Sequence, residues 1–424
     1  MNSAHNEHTI NQLAAHLFRE NSGKMIAVLS HKFGINQIDA ILDVVQDTFE
    51  TALTQWRFSS IPDNPSAWLM AVAKNKAINT FTRNNKTQEF SPSLHKLTTD
   101  YTALNQQPEV LLSDQEVQDS QLRLLFTCCQ PDFSTKNQVI LTLHILCGFG
   151  IPEIANALFM QKESVKKALT RSKAILRNLA PFFQSQQSDK SIELTNTILY
   201  LMFNEGYKTT RNKEGINNDL CYESIRLAKL LVRINESAIY ETKALLALQF
   251  FNLSRFPARI TEHGEWLTLE EQDRTLWNKS YIEEGFYYLT LATQSNVLSR
   301  YHLEAIISSL HCIALNFADT NWTKIIYLYQ QLEILEPDSP FIILNRIIAE
   351  SYIRNPLESI AKINLLEAEY KLQENFLIVV TKASLYQKIG EIDHAKETYM
   401  LAWNLTNSPI DKKFIDRKIL ECQH

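Results

Sequence analysis

Glycine is scarce in this sequence, with nine residues among 424. Apolar residues instead recur at helical spacing almost throughout the chain, so we predict an all-α protein. The sequence contains no glycine-rich phosphate loop and no HExxH metal motif, so two common signatures of enzymes are missing. A chain of this length is expected to form two to four domains with ample core.

Signals for membrane insertion, export and metal binding are also lacking. No apolar run reaches the length of a membrane span, and the first ten residues, MNSAHNEHTI, contain no apolar core of a signal peptide. The cysteines show no zinc-type spacing and are typical of thiols in a reducing compartment; they are Cys128, Cys129, Cys147, Cys221, Cys312 and Cys422. We therefore expect a cytoplasmic protein without membrane segment, metal or cofactor.

The net charge is small and unevenly distributed. A formal charge of −5 and a pI near 6.2 argue against a protein that coats nucleic acid without specificity. Residues 1–180 carry 17 basic and 16 acidic side chains, whereas the rest of the chain carries 25 and 31. The acidic excess thus lies in the second part of the chain.

Residues 143–176 have the pattern of two short helices joined by a turn at residues 159–162. Pro152 suits the first turn of the first helix. The inward-facing residues are Ile154, Ala155 and Leu158, then Val165, Leu169, Ser172 and Leu176. From Lys162 to Arg177 there are six basic residues and one acidic residue, the electrostatic pattern of a DNA phosphate contact. Charge alone would favour a solvated helix face, but the turn and the packing stripe favour a helix-turn-helix.

Two amphipathic helices are predicted earlier in the chain. Residues 39–56 have one apolar face, with Ile41, Val44 or Val45, Thr48, Ala52 and Trp56, and an exposed acidic edge with Asp43, Gln46, Asp47 and Glu50. In residues 62–83, Ser66 can cap a helix whose Lys74, Lys76, Asn79 and Arg83 can contact phosphates and bases. This mixture of cations, amides and aromatics suits single-stranded DNA. The residues alone are equally consistent with a structural helix that has a basic face.

These segments together resemble bacterial sigma factors of the extracytoplasmic-function type, the compact two-domain members of the sigma-70 family. The matching motifs are DVVQDTF, NPSAWLMAVAKNKAI and GFGIPEIANALFMQKESVKKALTRSKAIL, in the expected order with a polar linker between them. The predicted organisation is a sigma domain two over 10–86, a linker over 87–115, a sigma domain four over 116–180, a polar joint at 184–190, a helical connecting domain over 190–300 and repeats over 301–424.

The resemblance implies three contact surfaces. The surface that docks on the β′ clamp helices of RNA polymerase would contain Asp43, Gln46, Asp47 and Phe49. The surface that lines the melted −10 promoter strand would contain Asn64, Trp68, Lys74, Asn75, Asn79 and Arg83. The residues that read the −35 major groove would be Ser164, Lys166, Lys167, Thr170 and Arg171. Many relatives carry an acidic residue just before Asp43, where this chain has Leu42, so the polymerase contact can differ in detail.

The rest of the chain resembles the subgroup with a long C-terminal extension of tetratricopeptide-like repeats. The segments that carry this resemblance include RLLFTCCQP, LYLMFNEGY and EEQDRTLWNKSYIEEG. A 34-residue period relates Ala383, Tyr386, Ala395, Tyr399 and Ala402 to Ala349, Tyr352, Ala361, Leu365 and Ala368. A weaker third set contains Ile325, Tyr329, Leu332 and Pro337. Such stacks form concave peptide-binding surfaces, so we expect a peptide or protein partner, unless the stack only packs against residues 190–300.

One polar cluster raises the possibility of an enzyme. It contains His263, Glu265, Glu270, Glu271, Asp273 and Arg274 around Trp266 and Trp277, and such groups can in principle perform acid–base chemistry. Nothing in the sequence fixes their geometry, so we favour ion pairs between helices. His144, His302 and His311 lie on apolar faces and are expected to be core histidines with satisfied hydrogen bonds.

We therefore predict a transcription initiation factor, not an enzyme. It would bind core RNA polymerase at the β′ clamp and the β flap and direct it to a promoter. The alternative is a helix-turn-helix regulator that binds duplex DNA without polymerase, with the repeats recruiting a protein partner. The DVVQDTF edge and the segment around Trp68 favour the initiation factor, because a plain repressor does not need them.

Overall fold

The computed structural model describes residues 2–58, 61–85, 113–158, 160–180, 188–207, 216–234, 239–262, 264–295 and 297–423. Within these ranges the chain consists of helices and turns, with one isolated β-bridge between Ile260 and Trp266. The predicted all-α class is confirmed.

The chain divides into two compact units, residues 1–198 and residues 199–424. The division falls inside one helix, Asp189–Tyr207, and not at the polar joint 184–190. The N-terminal half of this helix belongs to the first unit, where Thr195 is fully buried. The helix therefore has to be kept whole when the units are studied separately.

The helices of the first unit are α1 (Asn2–Phe33), α2 (Ile38–Phe58), α3 (Pro65–Asn85), α4 (Asp114–Cys128), α5 (Thr135–Ile145), α6 (Ile151–Ala157) and α7 (Lys162–Asn178), followed by the start of α8 (Asp189–Tyr207). Most of the predicted linker 87–115 lies outside the described residues. Its last residues begin α4 through a capping box, in which the Glu116 carboxylate accepts the Ser113 backbone N–H and the Ser113 hydroxyl accepts the Glu116 backbone N–H.

The two predicted sigma domains pack together in this unit. Helix α1 contacts α2 and α3 on one side and α4 and α5 on the other. A close approach occurs at Gly23, where an added Cβ would lie 2.0 Å from the carbonyl oxygen of Leu146. Only glycine allows the backbones to approach this closely. Met25 and Leu29, both fully buried, fill the core beside it.

The helices of the second unit are the end of α8, then α9 (Asn218–Leu231), α10 (Ile239–Ser254), α11 (Phe256–Arg259), α12 (Lys279–Ala292), α13 (Arg300–Ile313), α14 (Trp322–Leu335), α15 (Pro340–Glu350), α16 (Pro356–Tyr370), α17 (Phe376–Lys388), α18 (Ile392–Leu405) and α19 (Pro409–Glu421). Helix α10 is buried nearly all round and contacts α9, α12 and α13. Gly285 of α12 makes room for Phe251 of α10, whose ring would lie 2.6 Å from a Cβ at that position.

From α13 to α19 each helix packs against the next one along the chain. Proline stands in the first turn of α15, α16 and α19, where its missing N–H removes no helical hydrogen bond. In the last hairpin the predicted small and aromatic residues are buried in one cluster: Ala383, Ala395, Tyr399 and Ala402.

The predicted 34-residue register is wrong for α16. The 34-residue period equates Ala361, Leu365 and Ala368 with the buried Ala395, Tyr399 and Ala402, yet all three are exposed, Leu365 by 71%. The buried positions are Ile360, Ile363 and Leu366. These larger apolar side chains remove more surface from water than the two alanines, so they decide which face turns inward. The tetratricopeptide-like character of the repeats stays a prediction.

No helix in the described ranges is both long enough and apolar enough to cross a bilayer. The same ranges contain no group of three or more His, Cys, Asp or Glu side chains placed to hold a metal ion. All six cysteines are free thiols, and Cys312 is the one that is only partly buried.

Candidate functional site

Helix α7 has one buried face and one polar face. Its predicted packing residues, Val165, Leu169, Ser172 and Leu176, are all buried. The predicted DNA-contacting residues, Ser164, Lys166, Lys167, Thr170 and Arg171, are all exposed. Within the described part of the chain, none of the three cations in that set has an acidic partner, so their charge is available to an external ligand. The Thr170 hydroxyl donates to the carbonyl oxygen of Lys166, 2.9 Å away.

The C-terminal end of α7 is held on α2 by ion pairs that the sequence did not reveal. Arg177 Nε lies 2.6 Å from one carboxylate oxygen of Asp39, and Lys173 Nζ lies 3.7 Å from the other. Exposed pairs of this kind contribute about 0–1 kcal/mol. This contact therefore orients α7 without locking it.

Helix α6 is fixed to α1 by a separate set of contacts. Arg19 of α1 pairs with Glu153, and its guanidinium carbon lies 4.7 Å from the centre of the Phe149 ring. Glu153 also accepts the backbone N–H of Gly150 at 2.7 Å, and Pro152 follows in the first turn as predicted. Because α6 packs against α7, these contacts set the direction of α7 within the unit.

Helix α2 presents the predicted acidic edge. Asp43, Gln46, Asp47 and Glu50 are exposed, whereas the opposite face with Ile41, Val44, Val45 and Thr48 is buried. The Gln46 amide donates to the Glu50 carboxylate at 3.2 Å. The edge is therefore a polar strip with two free aspartate side chains, Asp43 and Asp47, as far as the described residues show.

Phe49 does not belong to this surface, and its predicted place there is wrong. Its side chain is only 6% exposed and packs edge-on against Phe18 of α1, with ring centroids 4.8 Å apart. Burial of an aromatic ring of this size is strongly favoured, so Phe49 joins the interface between α1 and α2. Of the four residues predicted for polymerase docking, Asp43, Gln46 and Asp47 are exposed.

The start of α3 also differs from the sequence prediction. Asn64, not Ser66, precedes the first helical residue, Pro65, and its side-chain oxygen accepts the backbone N–H of Ala67 at 3.0 Å. Asn64 is exposed, but this acceptor is already used in capping. Trp68 is half-buried, and its ring centroid lies 5.5 Å from that of Trp56.

Lys74 of α3 is less accessible than the sequence indicated. It is half-buried near Lys32 of α1 and Glu116 of α4. Burial lowers the pKa of Lys74, and the nearby Glu116 carboxylate opposes that shift. Burial and the charge of Lys74 lower the pKa of Lys32 to about 8. Part of the Lys74 side chain is thus buried in packing, and only the rest is accessible to a ligand such as DNA.

The remaining predicted −10 contacts lie on the outer face of α3. Asn75 and Asn79 are exposed, one helical turn apart. Arg83 lies within α3, but its side chain is outside the described residues. Lys76 points toward α2 instead. Its ammonium donates to the backbone carbonyl oxygen of Asp47 at 2.7 Å and so links α3 to α2.

The polar cluster of the second unit makes structural contacts. The Glu271 carboxylate lies 2.7 Å from nitrogens of both Arg417 and Lys418, and Arg274 donates to the carbonyl oxygens of His311 and Ala314. The predicted ion pairs are confirmed for Glu271, whereas these Arg274 contacts are hydrogen bonds to backbone carbonyl oxygens. His263 lies outside the described residues.

Two of the three predicted core histidines have hydrogen-bond partners. His144 Nδ1 lies 3.0 Å from the carbonyl oxygen of Phe149, and His302 Nε2 lies 3.2 Å from that of Ala292. His311 departs from the prediction: its Nδ1 is buried and has no hydrogen-bond partner among the described residues.

Comparison with known proteins gives two matches to domain families. Residues 17–87 match Sigma-70 region 2, and residues 192–293 match a family of unknown function, DUF6596. The Sigma-70 region 2 match at the N-terminus supports a sigma-70 family factor. An uncharacterized protein of Rhizobium meliloti (strain 1021) is 31% identical over 381 residues, which cover 88% of this chain and 89% of that protein. No solved structure matches the chain.

The sigma-70 match covers α1 to α3 with the acidic edge of α2. It indicates a non-catalytic role in RNA polymerase binding and promoter recognition. The DUF6596 match runs from α8 to the end of α12. We predicted this region from the sequence only as a helical connecting domain. Its helix α10 is buried nearly all round and therefore lacks the amphipathic period of a surface helix.

Proposed function

We propose that this sigma-70 family protein is a transcription initiation factor of the extracytoplasmic-function type, acting in the cytoplasm without a cofactor. It binds core RNA polymerase, directs it to promoters with specific −10 and −35 elements and helps to separate the strands at −10. The observation that carries the proposal is the division of faces on α7. The same helix buries its whole apolar stripe and exposes five polar residues suited to a DNA groove.

The polymerase contact is assigned to the acidic edge of α2. Asp43, Gln46 and Asp47 would dock on the β′ clamp helices, and the helix-turn-helix part of the unit would contact the β flap. Exposed carboxylates contribute mainly to the rate and specificity of association with a basic partner surface. Phe49 supports this edge from below through its packing on α1.

DNA contacts are assigned to α7 and α3. Ser164, Lys166, Lys167, Thr170 and Arg171 would enter the −35 major groove, where lysine and arginine read guanine edges. Asn75 and Asn79, with Lys74 and Arg83 beside them, would contact the melted −10 strand. Amides that hydrogen-bond base edges and cations that contact phosphates are the groups such a strand requires.

Promoter binding would require the first unit to open. The −10 and −35 elements lie about 25 base pairs apart, which is about 85 Å of B-form DNA. In the described structure the end of α7 touches the start of α2 through Arg177 and Asp39. We propose that polymerase binding separates the two sigma domains, which a weak ion pair permits.

The second unit is proposed to act on the sigma module in cis, and its repeats to bind a peptide or protein partner. Residues 162–177 carry a net charge of +5, while the chain after residue 180 carries −6, so the two can attract each other. Such an attraction would be screened over a Debye length of about 8–10 Å. The effect of the extension should therefore depend on salt.

Run-off transcription with purified bacterial core polymerase and genomic promoter fragments tests the proposal. The full chain is expected to produce discrete promoter-dependent transcripts. A fragment of residues 1–207, which keeps α8 whole, is expected to bind polymerase and to transcribe at a different level. DNA binding without any polymerase association would reject the initiation factor and leave the helix-turn-helix regulator as the function.

A further inference from the structure

The second unit contains a cavity of about 600 Å³. The proposed role in transcription does not account for this cavity. Helices α13 to α15 and α17 to α19 contribute to its walls, and the segment Thr268–Glu271 forms part of its rim. Cavities that bind small organic molecules have volumes in this range and are mostly apolar with a few polar groups. The lining of this cavity, which we call the repeat cavity, is likewise mostly apolar with a few polar groups.

One wall of the repeat cavity consists of three aromatic rings in mutual contact. The rings of Trp322 and Tyr352 are stacked with centroids 4.4 Å apart. The ring of Phe317 meets Tyr352 edge-on at 4.9 Å and lies 5.1 Å from Trp322. Such a wall favours a flat ligand, because aromatic rings pair by offset stacking and edge contacts.

A single lysine at the cavity has a partner that a ligand could replace. Lys388 Nζ lies 3.8 Å from the centre of the Tyr352 ring and 3.4 Å from the Glu270 carboxylate. The Glu270 side chain is 49% exposed, so this ion pair is weak and exchanges easily with other anions. Lys418 also lines the cavity, but it is committed to Glu271 at 2.7 Å.

A buried histidine also lines the cavity. His311 is only 7% exposed, and its buried Nδ1 has no hydrogen-bond partner in the described part of the chain. The His311 ring meets Trp322 edge-on, with centroids 5.4 Å apart. Burial, with the charges of Arg255 and Arg274, lowers the pKa of His311 to about 3, so the ring is neutral at physiological pH. His311 therefore adds a neutral aromatic group to the cavity wall and brings no charge to it.

We propose that the repeat cavity is a binding site for a small planar aromatic carboxylate. The ring of the ligand contacts the wall formed by Phe317, Trp322 and Tyr352. Its carboxylate replaces Glu270 beside Lys388, and the neutral His311 ring forms part of the wall next to Trp322. The chain's own Glu270 acts as a competing anion that holds Lys388 in place while the cavity is empty.

Calorimetric titration of the full chain with 2-naphthoate and with its neutral counterpart 2-naphthamide tests this site. Naphthoate should bind about tenfold more tightly than the amide, the ratio expected when one charge-assisted hydrogen bond distinguishes two ligands. Lys388→Met should remove this difference without changing the affinity for naphthamide. The matched variant Lys324→Met, which changes an exposed lysine of α14 outside the cavity, should bind both compounds as the wild type does.

Glu270→Gln provides an independent test, because it removes the competing anion and leaves Lys388 in place. This variant should bind naphthoate more tightly than the wild type does. The proposal is overturned if neither compound binds, if both bind with equal affinity, or if Glu270→Gln does not strengthen naphthoate binding. The titrations need neither polymerase nor DNA, so their outcome is separate from that of the transcription experiment.

Discussion

The carboxylate of Asp39, at the start of α2, lies 2.6 Å from Nε of Arg177, at the end of α7. The two residues are 138 positions apart in the sequence and belong to the two predicted sigma domains. Both side chains keep about half of their exposure, so water and salt weaken the pair. The packing of α1 on α4 and α5 stabilises the contact between the two predicted domains more than this ion pair does.

Gly23→Ala should disrupt that packing. The new methyl group would lie 2.0 Å from the carbonyl oxygen of Leu146, so the backbone of one domain has to move. We expect the unfolding free energy of the first unit to fall by about 1–3 kcal/mol, as for overpacked cores, in denaturant titrations followed by circular dichroism. Gly150→Ala is the control, because its Cβ would meet its nearest neighbour at 3.4 Å. Equal stability of both variants would contradict the close approach.

Gln46→Ala combined with Asp47→Lys should abolish co-purification with core polymerase. Both side chains are exposed, so the helicity of the protein should be unchanged. Lys76 bonds the backbone oxygen at residue 47, which the substitution keeps. Asp338→Lys makes the same charge change at an exposed loop of the second unit and should bind polymerase normally. Wild-type binding by the double variant would refute the assigned docking edge.

Arg171→Ala or Lys167→Ala should weaken binding to the −35 element. A side chain that reads a base should contribute about 1–3 kcal/mol, whereas one that contacts only phosphate should lower the salt slope by about one unit. Fluorescence anisotropy at several salt concentrations measures both quantities. Lys136→Ala, on the exposed face of α5, is the matched control. If affinity and slope are unchanged in both α7 variants, this helix does not enter the groove.

Asn75→Ala together with Asn79→Ala should reduce strand opening at −10 while polymerase binding is kept. Both side chains are exposed on α3, so their loss should not disturb the fold. Permanganate reactivity of unpaired thymines reports the open complexes. Lys74→Ala belongs in a separate variant, because Lys74 is half-buried and its removal also affects packing. Normal opening by the double asparagine variant would move the −10 contact to another surface.

Glu271 should make the stability of the second unit depend on pH. Burial opposes ionisation, but hydrogen bonds from Arg417 and Lys418 outweigh it and lower the pKa of Glu271 to about 2. The folded state therefore gains stability above the unfolded pKa of about 4.5 and loses it as the pH falls from there toward 2. Allowing for solvent screening, the gain at neutral pH is on the order of 2 kcal/mol.

Thermal unfolding between pH 6 and pH 3 measures this dependence. Glu271→Gln should start with a lower melting temperature at pH 6 and lose less of it on acidification than the wild type does. Glu374→Gln, at an exposed loop position, should behave as the wild type. Parallel pH curves for Glu271→Gln and the wild type would contradict the assigned role of this carboxylate.

The helical class and the buried face of α7 could be predicted from the order of apolar and polar residues. Residues such as Val165, Leu169 and Leu176 recur with the period of a helix, and this period requires no knowledge of the partner that buries them. The exposure of Lys166 and Lys167 followed from the same period. Motif order was also sufficient to indicate a sigma-70 factor.

Contacts between residues that are far apart in the sequence became visible only in the folded chain. Phe49 and Leu365 have the same apolar character, yet Phe49 is buried on α1 and Leu365 is exposed. Local pattern predicts a face, but burial depends on which other element covers that face. For the same reason the Asp39–Arg177 pair and the unpaired nitrogen of His311 could not be predicted, since both depend on residues brought together from distant parts of the sequence.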